Sequence, residues 1–144
     1  MSDRSIRGLL ADANLTGHFR YLLRLLEKLD LAAVFAELSL QFLTIDEAGL
    51  PSDIDDRSLW RFCQHEGWVL YTANRNAAGT DSLQKTLDDS WQPGCLPLIT
   101  LANKIEFEHS TNYRQRVAVD VAELLFGVAM GDYCDESRIY VPRM

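Results

Sequence analysis

The sequence has little of what marks several common classes of protein. Its three cysteines, Cys63, Cys95 and Cys134, lie far apart and form no CxxC pair, so it predicts neither a zinc knuckle nor a thioredoxin-like redox site. No run of about 18 apolar residues is present, so we expect no membrane-spanning helix. The opening residues, MSDRSIR, contain no apolar segment of the kind that a secretory signal requires. These absences together predict a cytoplasmic location.

Positive charge is also scarce. Fourteen Lys and Arg residues stand against 21 Asp and Glu residues, which gives a net charge of −7 at pH 7. Proteins that coat nucleic acids bind the phosphate backbone with clustered Lys and Arg, so this composition argues against a general nucleic-acid coat. A metal site is compatible with the acidic charge, because there the cation meets the phosphate. His18, His65 and His109 are isolated, and the chain has no P-loop, GxGxxG or GxSxG motif.

The sequence does contain short apolar runs that alternate with amphipathic segments. The runs predict strands over residues 6–11, 38–45, 68–72 and 96–101. The amphipathic segments predict helices from about residue 18, over 57–66, 81–91 and 113–130, with Thr16 and Thr80 as N-caps and Gly67 as a stop. Alternating strands and helices favour a parallel sheet covered on both faces. We therefore predict one α/β domain over residues 1–144, a three-layer α/β/α sandwich with a mainly parallel sheet of four or five strands and the first strand in its interior.

Polar residues collect where these strands end. In open parallel sheets, ligands bind outside the carboxyl ends of the strands. The candidates there are Asp12 and Asn14 after the first strand, Asn74 and Asn76 after the third, and Asp55 and Asp56 at the start of the preceding helix. Carboxylate and amide oxygens suit a hard cation such as Mg²⁺ or Mn²⁺. We therefore expect Asp12, Asp56 and Asn74 to converge.

Most of these residues also have a purely structural interpretation. Asp55 or Asp56 is a favoured N-cap, although two adjacent acids leave room for one to cap the helix and the other to face the site. Asn74 and Asn76 are common turn formers. Asp12 is harder to explain in this way, because a charge beside buried backbone costs free energy unless it is paired.

Three parts of the chain resemble PIN-like domains. They are residues 9–15 (LLADANL), Asp56, and residues 69–76 (VLYTANRN). The similarity is greatest to the short bacterial branch, which usually reads DENL after the first strand and TxDxDF after the third. The spacing from Asp56 through Leu59 and Cys63 to Thr72 also matches that branch. The resemblance covers roughly residues 6 to 103.

The resemblance implies a ribonuclease ancestry. PIN domains hold one or two Mg²⁺ or Mn²⁺ ions in an acidic cluster and hydrolyse RNA; many are toxins of bacterial toxin–antitoxin pairs and form homodimers. By position, Asp12 and Asp56 match the acidic, catalytic metal ligands, and Asn74 and Asn76 stand where the family has Asp. The implied substrate contacts are Asn14, Arg57, Thr72 and Arg75. The implied partners are RNA, a small antitoxin-like protein and a second copy of the chain.

The two asparagines distinguish this chain from the family. Each replaces a carboxylate by a neutral amide, and the number of ligand charges sets the affinity for a divalent ion. One hypothesis is therefore a Mg²⁺- or Mn²⁺-dependent ribonuclease with a weakened site. A second is a PIN-like domain that has lost cleavage and acts as a binding or regulatory module. A third is a receiver-like domain modified at Asp12, with Lys104 as its lysine, although its third strand has Tyr71-Thr72 where receivers have the phosphorylated Asp.

Overall fold

The structure is a computed structural model that describes residues 6–73, 82–133 and 135–143. The strands are β1 (Gly8–Ala11), β2 (Gln41–Thr44), β3 (Trp68–Ala73), β4 (Leu98–Leu101) and β5 (Arg138–Val141). The helices are α1 (Thr16–Lys28), α2 (Ala32–Glu37), α3 (Asp56–Glu66), α4 (Ser82–Ser90), α5 (Lys104–His109) and α6 (Thr111–Ala129). The prediction of Thr80 as an N-cap falls outside the described residues.

All five strands form one parallel sheet in the order β2-β1-β3-β4-β5. Helices cover both faces, which confirms the predicted three-layer α/β/α architecture. β1 pairs with β2 on one side and with β3 on the other, and all four of its residues are buried. Its interior position, predicted from its apolar run, is therefore confirmed.

Strand alternation divides the core into two halves. Leu9 and Ala11 of β1 face a core formed with α1 and α6, whereas Leu10 faces a second core formed with α3 and α4. Successive residues of a strand point to opposite faces of the sheet, so each half of the core is visible in the sequence of β1. Within the described residues, no helix is long and apolar enough to cross a membrane.

The entry into α1 differs from the prediction. Ala13–Leu15 form a 3₁₀ turn that leads directly into the helix, so Thr16 is the first helical residue and Leu15 the N-cap. The Thr16 hydroxyl donates to the carbonyl of Ala13 at 3.1 Å. Thr16 was predicted to cap the helix because of its residue type, but the chain is already helical before it.

Short elements account for the other differences. α2, α5 and β5 were not predicted, and α2 ends at Glu37, directly before the region assigned to the second strand, which begins at Gln41 rather than residue 38. Each of the three has four to six residues. The six residues of α2 and of α5 do not complete two helical turns, so they show no helical periodicity in the sequence. β5 (RIYV) begins with an arginine and therefore does not stand out as a continuous apolar run.

Candidate functional site

The strand order identifies one place on the sheet where a ligand is expected. The chain passes from β1 to β2, which lies on one side of β1 in the sheet, whereas β3 lies on the other side of β1. In open α/β sheets, ligands bind at such a switch point, outside the carboxyl ends of the two strands. Asp12 follows β1 at this point, and Ala73 ends β3 beside it.

The Asp12 backbone is fixed between the ends of the two strands. Its N–H donates to the carbonyl of Tyr71 at 3.0 Å, and its carbonyl accepts from the N–H of Leu15 at 3.0 Å. Only 7% of the residue is exposed. Because its backbone is still extended, alternation from Leu10 assigns its side chain to the face of the sheet that α3 covers. Asp12 is thus a buried acid at the switch point.

Asp55 and Asp56 occupy different positions at the start of α3. The Asp55 carboxylate accepts from the backbone N–H of Ser58 at 2.7 Å and from its hydroxyl at 2.9 Å. These hydrogen bonds, the backbone one first, lower the pKa of Asp55. Asp55 is therefore the N-cap of α3, and Asp56 is its first helical residue.

Asp56 lies on the stripe of α3 that faces the sheet. Leu59, Trp60 and Cys63 are the buried residues of this helix, and they stand three, four and seven positions after Asp56, which places all four on one helix face. Asp56 itself is half-buried. Because α3 leads back into the parallel strand β3 through Gly67, its first residue lies at the carboxyl edge. Asp56 and Asp12 therefore share an edge and a face of the sheet.

Two buried threonines add hydroxyl groups beneath this edge. The hydroxyls of Thr72 in β3 and Thr100 in β4 are 3.2 Å apart. They alternate with residues of the core on the α1 and α6 side, so both belong to the face that carries Asp56. Thr72 was a predicted site residue, whereas Thr100 was not. The signal for Thr100 was a single polar residue inside the otherwise apolar strand LITL.

The remaining predicted residues are placed in part. Asn74, Arg75 and Asn76 fall outside the described residues, and Asn14 lies in the 3₁₀ turn after Asp12. The Arg57 guanidinium forms an ion pair with Asp89 of α4 at 3.1 Å, with both side chains about half exposed. An exposed pair of this kind is weak, so a phosphate can compete for the guanidinium at small cost.

The donor chemistry of this edge fits a hard divalent cation. Asp12, Asp56 and the two threonine hydroxyls all offer oxygen, which Mg²⁺ and Mn²⁺ prefer. Within the described ranges, no three His, Cys, Asp or Glu side chains are grouped closely enough to hold a metal ion. Of the predicted metal ligands, the described residues thus place two carboxylates, Asp12 and Asp56, at this edge.

Comparison of the chain with protein-family models, with curated proteins and with solved structures finds no significant match. A function for this chain therefore has to follow from its own residues and from the geometry of the switch point.

Proposed function

We propose that this chain is a PIN-like, Mg²⁺- or Mn²⁺-dependent endoribonuclease with a weakened acidic site. The observation that supports this most strongly is Asp12, a buried acid directly after an interior strand at the switch point of the sheet. Ligands of open α/β sheets bind at this point, and a carboxylate is a ligand that Mg²⁺ and Mn²⁺ prefer. A cellular role as the toxin of a toxin–antitoxin pair, in the cytoplasm and as a homodimer, belongs to the same proposal and is based on the sequence resemblance alone.

The residues divide the work according to their positions. Asp12 and Asp56 would hold the ion at the carboxyl edge of the sheet, one from a strand end and one from a helix start. When bound, the ion would supply Lewis-acid activation of water and stabilisation of charge on the phosphate. Arg57 stands next to Asp56 at the surface, where it would contact the RNA backbone. Thr72 is buried beneath the edge and would support the site from below.

The test is cleavage of a labelled single-stranded RNA by the full chain in Mn²⁺. D12N and D56N each remove a charge from the site while keeping the size of the side chain. We expect the rate to fall at least about tenfold in each variant, since even outer-shell changes at metal sites cost about 10–100-fold. E123Q is the matched control, because Glu123 is an exposed carboxylate in the middle of α6, on the other side of the sheet.

The outcomes separate a metal-dependent nuclease from a contaminant. Cleavage that chelation abolishes, that D12N and D56N lose and that E123Q retains supports the proposal. Cleavage that is the same in all four proteins comes from another enzyme and contradicts it. A wild-type chain that cleaves nothing at any Mn²⁺ concentration also contradicts it.

The second candidate is a PIN-like module that binds RNA or a protein without cutting. The number of carboxylates favours it, since two acids hold a divalent ion less tightly than the larger sets of acidic ligands in active family members. The same assay identifies this case by RNA binding that persists without cleavage.

A receiver-like role has less support. The order β2-β1-β3-β4-β5 also occurs in flavodoxin-like folds, so topology alone does not select a function. Lys104 follows β4, a late strand, but β3 ends in Tyr71, Thr72 and Ala73, which offer no carboxylate to phosphorylate.

A further inference from the structure

A cavity opens near the carboxyl edge of the sheet, where the candidate metal site lies, but on the opposite face of the sheet from that site. It has a volume of about 230 Å³ and is lined by residues of α1, α5 and α6, namely Gly17, His18, Tyr21, Phe107, Glu108 and Arg114. Pockets for drug-sized ligands occupy about 300–1,000 Å³. The cavity is therefore suited to a single planar ring system.

Three aromatic rings meet in this cavity. Phe107 is 1% exposed and belongs to the core. The His18 ring lies 5.5 Å from it, and the Tyr21 ring meets it edge-on at 6.0 Å. Tyr21 remains 41% exposed although it is held in place, so part of its surface is presented to solvent. An exposed, fixed aromatic ring is the platform on which single-stranded nucleic acids stack their bases.

Arg114 supplies a positive charge that no carboxylate neutralises among the described residues. Its guanidinium donates to the carbonyls of Phe107 and Glu108 at 2.9 and 3.0 Å and to the Thr111 hydroxyl at 3.1 Å. It also lies 4.7 Å from the centre of the Tyr21 ring. None of the ion pairs formed by described residues involves Arg114, and its Nε is buried without a hydrogen-bond partner there. A phosphate group next to a stacked base would provide the missing negative charge.

The one acid in the cavity wall is already engaged. Glu108 forms a 2.9 Å hydrogen bond to the His18 ring. This pairing links α1 to α5 and keeps the carboxylate near the imidazole. Glu108 is therefore a smaller obstacle to an incoming phosphate than an unpaired acid would be.

The cavity is close to the candidate metal site along the chain. Gly17 follows Asp12 by five residues, which run through the 3₁₀ turn into α1, so the two are separated by roughly 9 Å at the usual rises of these helices. We infer that these residues form a subsite for one base of a single-stranded RNA and its adjoining phosphate, next to the edge where the RNA would be cleaved. The subsite consists of His18, Tyr21, Phe107 and Arg114. This inference depends on the proposed function for the identity of the ligand.

The experiment measures binding separately from cleavage. A short end-labelled single-stranded RNA is titrated with the full chain in EDTA, where metal-dependent cleavage cannot occur, and its fluorescence anisotropy is followed. Y21A removes the ring, and Y21L removes the ring face while keeping an apolar side chain that favours the helix. Y21F keeps the ring. Tyr140 of β5 is 45% exposed and does not line the cavity, so Y140A is the matched control.

We expect Y21A and Y21L to weaken binding at least about fivefold, the lower end of the range measured for base–aromatic stacking. Y21F and Y140A are expected to stay within about twofold of the wild type, because stacking needs the ring but not its hydroxyl. Thermal unfolding of each variant establishes that the fold is retained, and if Y21A unfolds, Y21L decides.

Unchanged binding in folded Y21L overturns the inference, and so does an effect of Y140A equal to that of Y21L. A shift of oligomeric state in Y21L, measured by light scattering, also overturns it, since the cavity would then be a contact between copies. Ring-dependent binding by a chain that does not cleave RNA in Mn²⁺ contradicts the proposed nuclease while leaving this subsite intact. Cleavage of RNA without ring-dependent binding supports the proposed nuclease and contradicts the subsite.

Discussion

The two candidate regions lie near the same edge of the sheet but differ in how they are built. The acidic site consists of residues at the ends of predicted elements, with Asp12 after β1 and Asp56 at the start of α3. The aromatic cavity is assembled from three helices, and its His18–Glu108 contact joins residues 90 positions apart. The first region offers carboxylate and hydroxyl oxygens, whereas the second offers aromatic rings and one arginine. A division of this kind suits a substrate that has both phosphates and bases.

The largest expected effect tests whether the two regions share one framework. Leu9 and Leu10 are neighbours on β1, both are fully buried, and they face opposite halves of the core. We expect L9A and L10A each to lower the free energy of unfolding by about 2–5 kcal/mol, as for other leucines removed from a close-packed core. Urea denaturation measures both. A loss below about 1 kcal/mol in either variant would mean that this half of the core is not close-packed behind its site.

The same contrast explains how much of the molecule was visible in the sequence. The apolar runs predicted β1 and β3, and the helical periodicity predicted α3 and α6. These elements together define the edge that holds Asp12 and Asp56. The division of roles between Asp55 and Asp56 was foreseen as an alternative and was decided by the hydrogen bonds of Ser58.

The aromatic cavity was not visible, because its parts are separated in the chain and lie partly on α5. That helix has six residues and one buried side chain, Phe107, which is too short for an amphipathic pattern. His18 was assigned no partner for the same reason, since Glu108 is contributed by this unpredicted helix. Contacts between distant residues leave no local trace in a single sequence.

The next effect in size concerns the charge of the acidic site. Asn74 and Asn76 follow β3 in the sequence and stand where the PIN-like pattern has Asp, so the double variant N74D/N76D restores the two carboxylates of that pattern. We expect Mn²⁺ affinity to rise at least tenfold, which is about 1.4 kcal/mol, since a charge pair at about 4 Å interacts by roughly 4 kcal/mol at an effective dielectric near 20 before desolvation is subtracted. Titration calorimetry measures the change.

The control for this pair is N103D, which places a new carboxylate on the N-cap of α5, on the side of the aromatic cavity. It is expected to leave Mn²⁺ affinity unchanged. An equal rise in Mn²⁺ affinity in N103D and N74D/N76D would mean that the ion responds to the net charge of the protein and not to a site. No rise in N74D/N76D would mean that this edge is not a metal site.

The smallest effect concerns the N-caps of α5 and α3, one near each region. Removing these two caps should lower the stability of the fold with a different dependence on pH. The Asn103 amide oxygen accepts from the N–H of Glu106 at 3.0 Å at the start of α5, as the Asp55 carboxylate accepts from Ser58 at the start of α3. N103A should lower the free energy of unfolding by about 1 kcal/mol, the usual value of an N-cap. This decrease should not vary with pH, because an amide does not titrate.

Asp55 has a lowered pKa in the folded chain. The stabilisation that its carboxylate gives to the fold is therefore fully present above its unfolded pKa of about 3.9 and disappears as the pH falls through the folded value. The penalty of D55A should therefore be largest at neutral pH and shrink in acid.

Urea denaturation of D55A, D55N and N103A at neutral pH and at pH about 3 measures these differences against the wild type. D55N keeps a capping oxygen that does not titrate, since Asn and Asp are about equally favoured as N-caps. It should therefore lose little stability at neutral pH and become relatively more stable than the wild type in acid. A D55A penalty that is the same at both pH values would mean that the Asp55 cap acts without its charge.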